Sequence, residues 1–122
     1  MGERIEPAPE QLDAEDSKIV TLARSARARI GATEGAAVRD TDGRTYTGCT
    51  VDLGVLRLSA LQSAVAAAAS SGAEGLEAAA LVTDGTEIDP DSLAAVRALG
   101  RRVPVFRADG GGVVSDVTRD VE

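Results

Sequence analysis

The side chains that carry most protein chemistry are scarce in this sequence: it has no histidine and a single cysteine, Cys49. A zinc site needs at least three protein ligands, drawn mostly from Cys and His. Neither a metal nor any other cofactor is therefore expected. A nucleophilic or redox-sensing thiol needs a nearby base or cation to lower its pKa, and no histidine exists to supply one. Cys49 reads instead as a small hydrophobe at a strand end. Four carboxylates, Asp84, Glu87, Asp89 and Asp91, cluster in sequence. They match no calcium-loop spacing and suit a turn followed by a helix cap. Arg101-Arg102 and Arg107 have the charge to grip an anion, or to face the carbonyl end of a helix. Gly110-Gly111-Gly112 lies between two short apolar segments, whereas a phosphate-cradling loop leads from a strand into a helix. A hairpin turn is the reading for that triplet.

The totals bound the partners. Twenty acidic residues against 13 basic ones give a formal charge of −7 among 122 residues. Such a surface repels phosphate backbones and anionic membranes at long range, so neither nucleic acid nor membrane is an expected partner. The aromatic residues are Tyr46 and Phe106, and alanine supplies much of the apolar content. At ~25 cal/mol per Å² of buried apolar surface, an alanine contributes far less than a leucine. Modest monomer stability follows, with self-association as dimer or tetramer to cover apolar surface. A lone cysteine, no apolar leader and no bilayer-length apolar run point to a soluble cytoplasmic protein.

The elements that must position these groups follow from periodicity. Residues 1–12, with Pro7 and Pro9, read as a flexible arm, and residues 13–122 as one domain. Ile19, Leu22, Ala23, Ala26 and Ile30 recur at helical spacing, with Asp13 or Asp16 placed to cap and Gly31 to terminate. Ala36–Arg39 and Arg44–Thr47 flank Asp40-Thr41-Asp42-Gly43, and Asp-Gly marks a hairpin. The second strand is expected to run on through Cys49 and Val51. Leu58–Ser71 reads as a buried, alanine-rich helix and Leu76–Thr83 as a strand. Asp89-Pro90 starts a helix reaching Gly100, because proline's missing N–H costs nothing in the first turn. Strands are expected at Val103–Phe106 and Val113–Val117. This order makes an α/β domain with a mixed sheet.

From about Ser17 to Asp120 the pattern resembles the small cytidine deaminase family. Gly35-Ala36-Ala37 is similar to the family's first-strand opening, and Asp42-Gly43-Arg44-Thr45-Tyr46-Thr47-Gly48 to its hairpin. Ser59–Ser70 is similar to its central helix, Ala80–Phe106 to its strand-turn-helix-strand, and Asp109-Gly110 to its later hairpin. The resemblance implies a three-layer α/β/α domain around a mixed sheet of about five strands, assembled as a homo-oligomer. It also implies a zinc-bound water that attacks C4 of cytosine, with a glutamate moving protons. At the implied ligand positions this chain has Ser59, Asp91 and Ala94, and at the proton-shuttle position Leu61. The sugar-gripping Asn-x-Glu corresponds to Thr50-Val51-Asp52, so Thr50 and Asp52 are the candidate ligand-binding residues. The family's aromatic wall corresponds to Arg29–Thr33, which holds no aromatic residue.

The leading expectation is a catalytically inactive, cytidine-deaminase-like protein acting as a structural or protein-interaction module, its partner unidentified. The alternatives are a non-catalytic nucleoside or nucleotide sensor using Asp52, and an atypical hydrolase or deaminase of the same family working through its carboxylates.

Overall fold

In the computed structural model, which describes residues 2–120, the first helix α1 (Ala14–Ile30) starts where a carboxylate meets free first-turn amides. Asp13 Oδ1 accepts from the Asp16 amide at 2.8 Å, which satisfies an otherwise orphaned donor. Gly31 ends the helix at φ 63°, a left-handed conformation that glycine adopts without steric cost. The next strands, β2 (Gly35–Asp40) and β3 (Thr45–Cys49), form the expected antiparallel hairpin. Asp40, 2 % exposed, organises its turn. Its carboxylate accepts from the Asp42 and Arg44 amides and from the Tyr46 hydroxyl, each at 2.9 Å.

A two-stranded ribbon follows, β4 (Val51–Asp52) with β5 (Arg57–Leu58). Then come α2 (Ala60–Ser70), β6 (Leu76–Val82), α3 (Pro90–Leu99), β7 (Val105–Ala108) and β8 (Val114–Asp120). Strand β1 (Glu3–Pro7) lies ahead of all of them in sequence. The main sheet has six strands in the order β1-β8-β7-β6-β2-β3. Only β6 and β7 run parallel among the described pairs, joined by the α3 crossover.

Alternation along the strands makes the three layers. Ala37, Ala78, Ala80 and Val82 pack with Ile19, Val20 and Ala23 of α1. Ala36, Val38, Ala79 and Leu81 pack on the opposite face with Leu61, Ala64 and Ala68 of α2 and Val96 of α3. Two glycines permit the close approach of the layers. A Cβ on Gly35 would stand 2.3 Å from the Ala23 carbonyl oxygen, and one on Gly48 would stand 2.4 Å from the Ala64 amide nitrogen.

The structure departs from the sequence reading at several points. The segment expected to be a flexible arm contains β1, which pairs antiparallel with β8 from Glu3↔Asp120 to Pro7↔Asp116. Its Glu-Arg-Ile-Glu-Pro sequence carries no apolar alternation, and Ile5 is exposed. Ladder bonds and ion pairs hold it instead, Arg97 to Glu3 at 2.7 Å and Arg119 to Glu6 at 2.9 Å. The sheet thereby gains a sixth strand. The central helix begins at Ala60 because Arg57 and Leu58 belong to the ribbon, and Thr50 separates β3 from β4. The strand expected at Val103–Phe106 is displaced to Val105–Ala108. Residue 1 of the expected arm and residues 121–122 of the expected domain lie outside the described residues.

Candidate functional site

The ribbon and the amino ends of α2 and α3 surround a cavity of about 340 Å³. Its walls include Thr50, Asp52, Arg57, Ser59, Gln62, Asp89 and Asp91. Ser59 caps α2 in a reciprocal arrangement: its Oγ accepts from the Gln62 amide at 3.1 Å, and Gln62 Oε1 accepts from the Ser59 amide at 2.9 Å. This pairing satisfies two orphan donors at once. Asp89 caps α3, accepting from the Asp91 and Ser92 amides at 2.9 and 3.2 Å.

The two caps meet through Ser92, which is 2 % exposed. Its Oγ donates to Asp89 Oδ2 at 2.6 Å and hydrogen-bonds Ser59 Oγ at 2.7 Å. The Ser92 hydroxyl, more than any other group, holds the Asp89 pKa below the ordinary carboxylate value. Burial acts against it, and the Ser92 and Asp91 amides add to the lowering.

Four of the sequence candidates, Thr50, Asp52, Ser59 and Asp91, thus share one cavity. The other two do not join them. Leu61 is fully buried in the core beneath α2, and Ala94 is exposed on α3 away from the cavity. The side chain that meets Ser59 is Ser92, one residue beyond Asp91. Thr50 is engaged with the entry to β2: its Oγ1 accepts from the Glu34 amide at 3.1 Å and donates to the Glu34 carbonyl at 3.4 Å. Asp52 Oδ1 accepts from the Gly54 amide at 3.1 Å and from Arg57 Nε at 3.2 Å.

Ser92, Gln62, Arg57 and Glu34 were not singled out from sequence. Ser59-x-x-Gln62 carries a legible capping-box spacing. Glu34 had no local signal, since its contact with Thr83 Oγ1 at 2.7 Å spans 49 residues. The remaining sequence candidates are dispersed. Asp84 pairs with Arg27 at 3.0 Å, and Arg107 with Asp116 at 2.7 Å. Arg101 and Arg102 are exposed beyond α3. Cys49 Sγ donates to the Ala26 carbonyl at 3.3 Å. The glycine triplet is the β7–β8 turn, with Asp109 Oδ1 accepting from the Gly111 and Val113 amides.

These groups do not fit a zinc ion. Two oxygens ligating one tetrahedral zinc at ~2.0–2.2 Å stand roughly 3.3–3.6 Å apart, whereas Ser59 Oγ and Ser92 Oγ are 2.7 Å apart in mutual contact. Hydroxyls are also not among the zinc ligands proteins ordinarily use. Among the described residues, no three His, Cys, Asp or Glu side chains are grouped to hold a metal.

A search of curated proteins finds no match to this sequence. Among solved structures, the cytidine deaminase from Burkholderia pseudomallei superposes with a TM-score of 0.71 at 23 % identity, over 81 % of this chain and 88 % of that one. The enzyme from Mycobacterium tuberculosis gives 0.65 at 26 % identity, over 78 % and 85 %. That from Mycobacterium leprae gives 0.65 at 20 % identity, over 87 % and 94 %. A family model described as "Cytidine deaminase-like" matches residues 12–112. With that match over most of its length and the three-layer fold around it, the chain belongs to the cytidine deaminase-like family.

Proposed function

We propose that this member of the family carries out no zinc-dependent deamination and serves as a self-associating structural or protein-interaction module. The closure of Ser59 on Ser92 and Asp89 carries the reading. Deamination of a cytosine ring requires an activated water, and zinc activates one by lowering its pKa to about 7. Here the helix ends present two hydroxyls and a carboxylate that satisfy one another. Asp89, its pKa held down, is a weaker base than an ordinary carboxylate. Leu61, at the position the family resemblance gives to the proton shuttle, carries no ionisable group and is sealed in the core.

The interaction half of the reading rests on the ribbon. Its tip exposes Leu53, Val55 and Leu56 at 69 %, 101 % and 48 %. The tip is an ordered turn, with the Leu53 amide donating to the Leu56 carbonyl at 2.9 Å. Exposed apolar groups held together in this way mark association surfaces. Beyond the ribbon, residues 58–73 contain no charged side chain, and Ala66 and Ala69 of α2 are exposed. For a chain of charge −7, an uncharged flank is where a second copy approaches with least repulsion.

Metal analysis of the purified protein together with a cytidine turnover assay tests the first half. No stoichiometric zinc and no turnover are expected. One zinc per chain, or turnover that follows the protein through purification, overturns the proposal.

A second reading, a nucleoside or nucleotide sensor, is favoured by one observation: the cavity retains Thr50 and Asp52 on its wall. Its lining contains no aromatic residue, so a base there lacks stacking worth ~1–3 kcal/mol. Calorimetric titration with cytidine, uridine and their phosphates tests it. Absence of binding below the millimolar range, with Asp52→Ala changing nothing, removes this reading.

A further inference from the structure

A second cavity, of about 360 Å³, lies at the carboxyl end of α1 and is lined by Arg24, Arg27, Ala28, Gly31, Ala32 and Gly110. It shares no lining residue with the cavity between α2 and α3. Small side chains keep it open. The resemblance implies an aromatic wall around Arg29–Thr33, whereas Gly31 and Ala32 stand there and Ile30 is exposed.

The groups around this space are hydrogen-bond donors in excess of acceptors. Arg27 is oriented from two sides: its Nε donates to the Ala32 carbonyl at 3.3 Å, and its Nη2 meets Asp84 Oδ2 at 3.0 Å. Its Nη1 makes no hydrogen bond among the described residues. The Arg24 side chain has neither a hydrogen bond nor an ion pair among them, and the Gly110 amide has no acceptor among them. The glycine turn lies directly over both arginines. A Cβ on Gly110 would stand 3.3 Å from Arg27 Nη1, and one on Gly112 would stand 3.3 Å from Arg24 Cδ. Side chains at these two turn positions would therefore crowd the Arg27 guanidinium and the Arg24 side-chain stem.

We infer that this cavity is a binding site for a small phosphate-type oxyanion, seated between Arg24 and Arg27 beneath the glycine turn. Guanidinium pairs with phosphate oxygens through charge-assisted, often bidentate hydrogen bonds. Four effects oppose the anion. The Asp109 carboxylate stands in the same turn, but its Oδ1 already accepts from the Gly111 and Val113 amides. The carbonyl end of α1 carries partial negative charge, but the Gly31 and Ala32 amides already engage its last carbonyls. Asp84 competes for Arg27, but while the Arg27 side chain is 18 % exposed the Asp84 side chain is 84 % exposed, and water around the carboxylate weakens the pair. The overall charge of −7 is screened beyond a Debye length of about 10 Å at 0.1 M salt. The site is independent of the function proposed above.

Backbone-amide NMR titration of the full chain tests the inference, with inorganic phosphate in one arm and glycerol 3-phosphate in the other. Ionic strength is held constant with sodium chloride. Saturable shifts are expected at Gly31, Ala32 and Gly110–Gly112. The phosphate arm saturating alone assigns a free ion, and both arms saturating assigns a phosphomonoester-compatible site. Arg24→Gln, a change at an exposed side chain, should weaken binding by about tenfold for the loss of one charge-assisted contact. Arg27→Lys, which keeps the charge and removes the fork, should also weaken it. Shifts that fail to saturate, that centre on Thr50 and Ser59, or that persist unchanged in Arg24→Gln overturn the inference.

Discussion

Asp40 concentrates the acid sensitivity of the β2–β3 hairpin in one side chain. Burial raises its pKa, but the Arg44 amide, the Tyr46 hydroxyl and the Asp42 amide together outweigh burial and hold it below the ordinary value of 3.8. A carboxylate with a depressed folded-state pKa stabilises the fold at pH above its unfolded pKa. That contribution is lost as pH falls from 3.8 through the lower folded value. Tyr46→Phe removes one of the three donors and should raise the Asp40 pKa, so that acid unfolding begins at higher pH. A carboxyl-carbon NMR titration paired with circular dichroism against pH reads both changes. An unmoved Asp40 midpoint in the variant would contradict the assignment. Asp40-Thr41-Asp42-Gly43 was legible as a turn, because Asp-Gly favours one. Tyr46 as the third donor was not, since that contact exists only once β3 folds back onto β2.

Close packing of the layers depends on two glycines that stood within the family-like motifs but whose packing role no local pattern revealed. Gly48 faces the backbone of α2 and Gly35 faces that of α1. Neither has a left-handed φ, so the requirement is for space and not for backbone freedom. Gly48→Ala would place a methyl group 2.4 Å from the Ala64 nitrogen, and a helix backbone cannot swing aside as a side chain can. A loss of at least about 1–3 kcal/mol is expected, the range for overpacked cores. Urea unfolding of the variant measures it, and a loss below ~0.5 kcal/mol would show that α2 shifts freely. Helix ends, in contrast, were largely readable from single residues: Asp13, one of the two caps expected for α1, Gly31 and Asp89-Pro90 stand where expected, whereas the Ser59 cap lies inside the stretch read as helix. A cap acts on amides within a few positions of itself, so its logic is local. Strand β1 escaped detection for the opposite reason, its partners lying more than a hundred residues away on β8.

At the scale of the molecule, an acidic surface and an apolar ribbon tip pull in opposite directions. Val55, fully exposed, makes little contact within its own chain, so Val55→Asp should leave the fold intact while weakening self-association. Sedimentation at several concentrations should show the parent chain associating and the variant shifted toward monomer. Raising salt from 0.05 to about 0.5 M should strengthen association of the parent chain, because screening reduces like-charge repulsion. A parent chain that stays monomeric at every concentration and salt refutes self-association. A variant that associates as well as the parent moves the interface elsewhere. No described helix is long and apolar enough to cross a membrane.

Composition alone determined which ligand types this chain can offer. Without imidazole and with a single thiol, no folding of the backbone can assemble a Cys/His zinc site, because ligand identity is a property of residues and not of their arrangement. Hydrophobic periodicity and caps, which act over a few residues, likewise settled most elements and the α/β class. Proximity had to wait for the tertiary structure. Ser92 instead of Asp91 meets Ser59, 33 residues away. Leu61 turns into the core while Ala94 turns out to water, and Arg24 and Arg27 come to lie beneath a glycine turn more than eighty residues later in the chain. Each of these facts depends on the rotation of a helix about its axis or on the pairing of remote strands. Both are set by packing the whole core together, and neither is encoded in any local stretch of sequence.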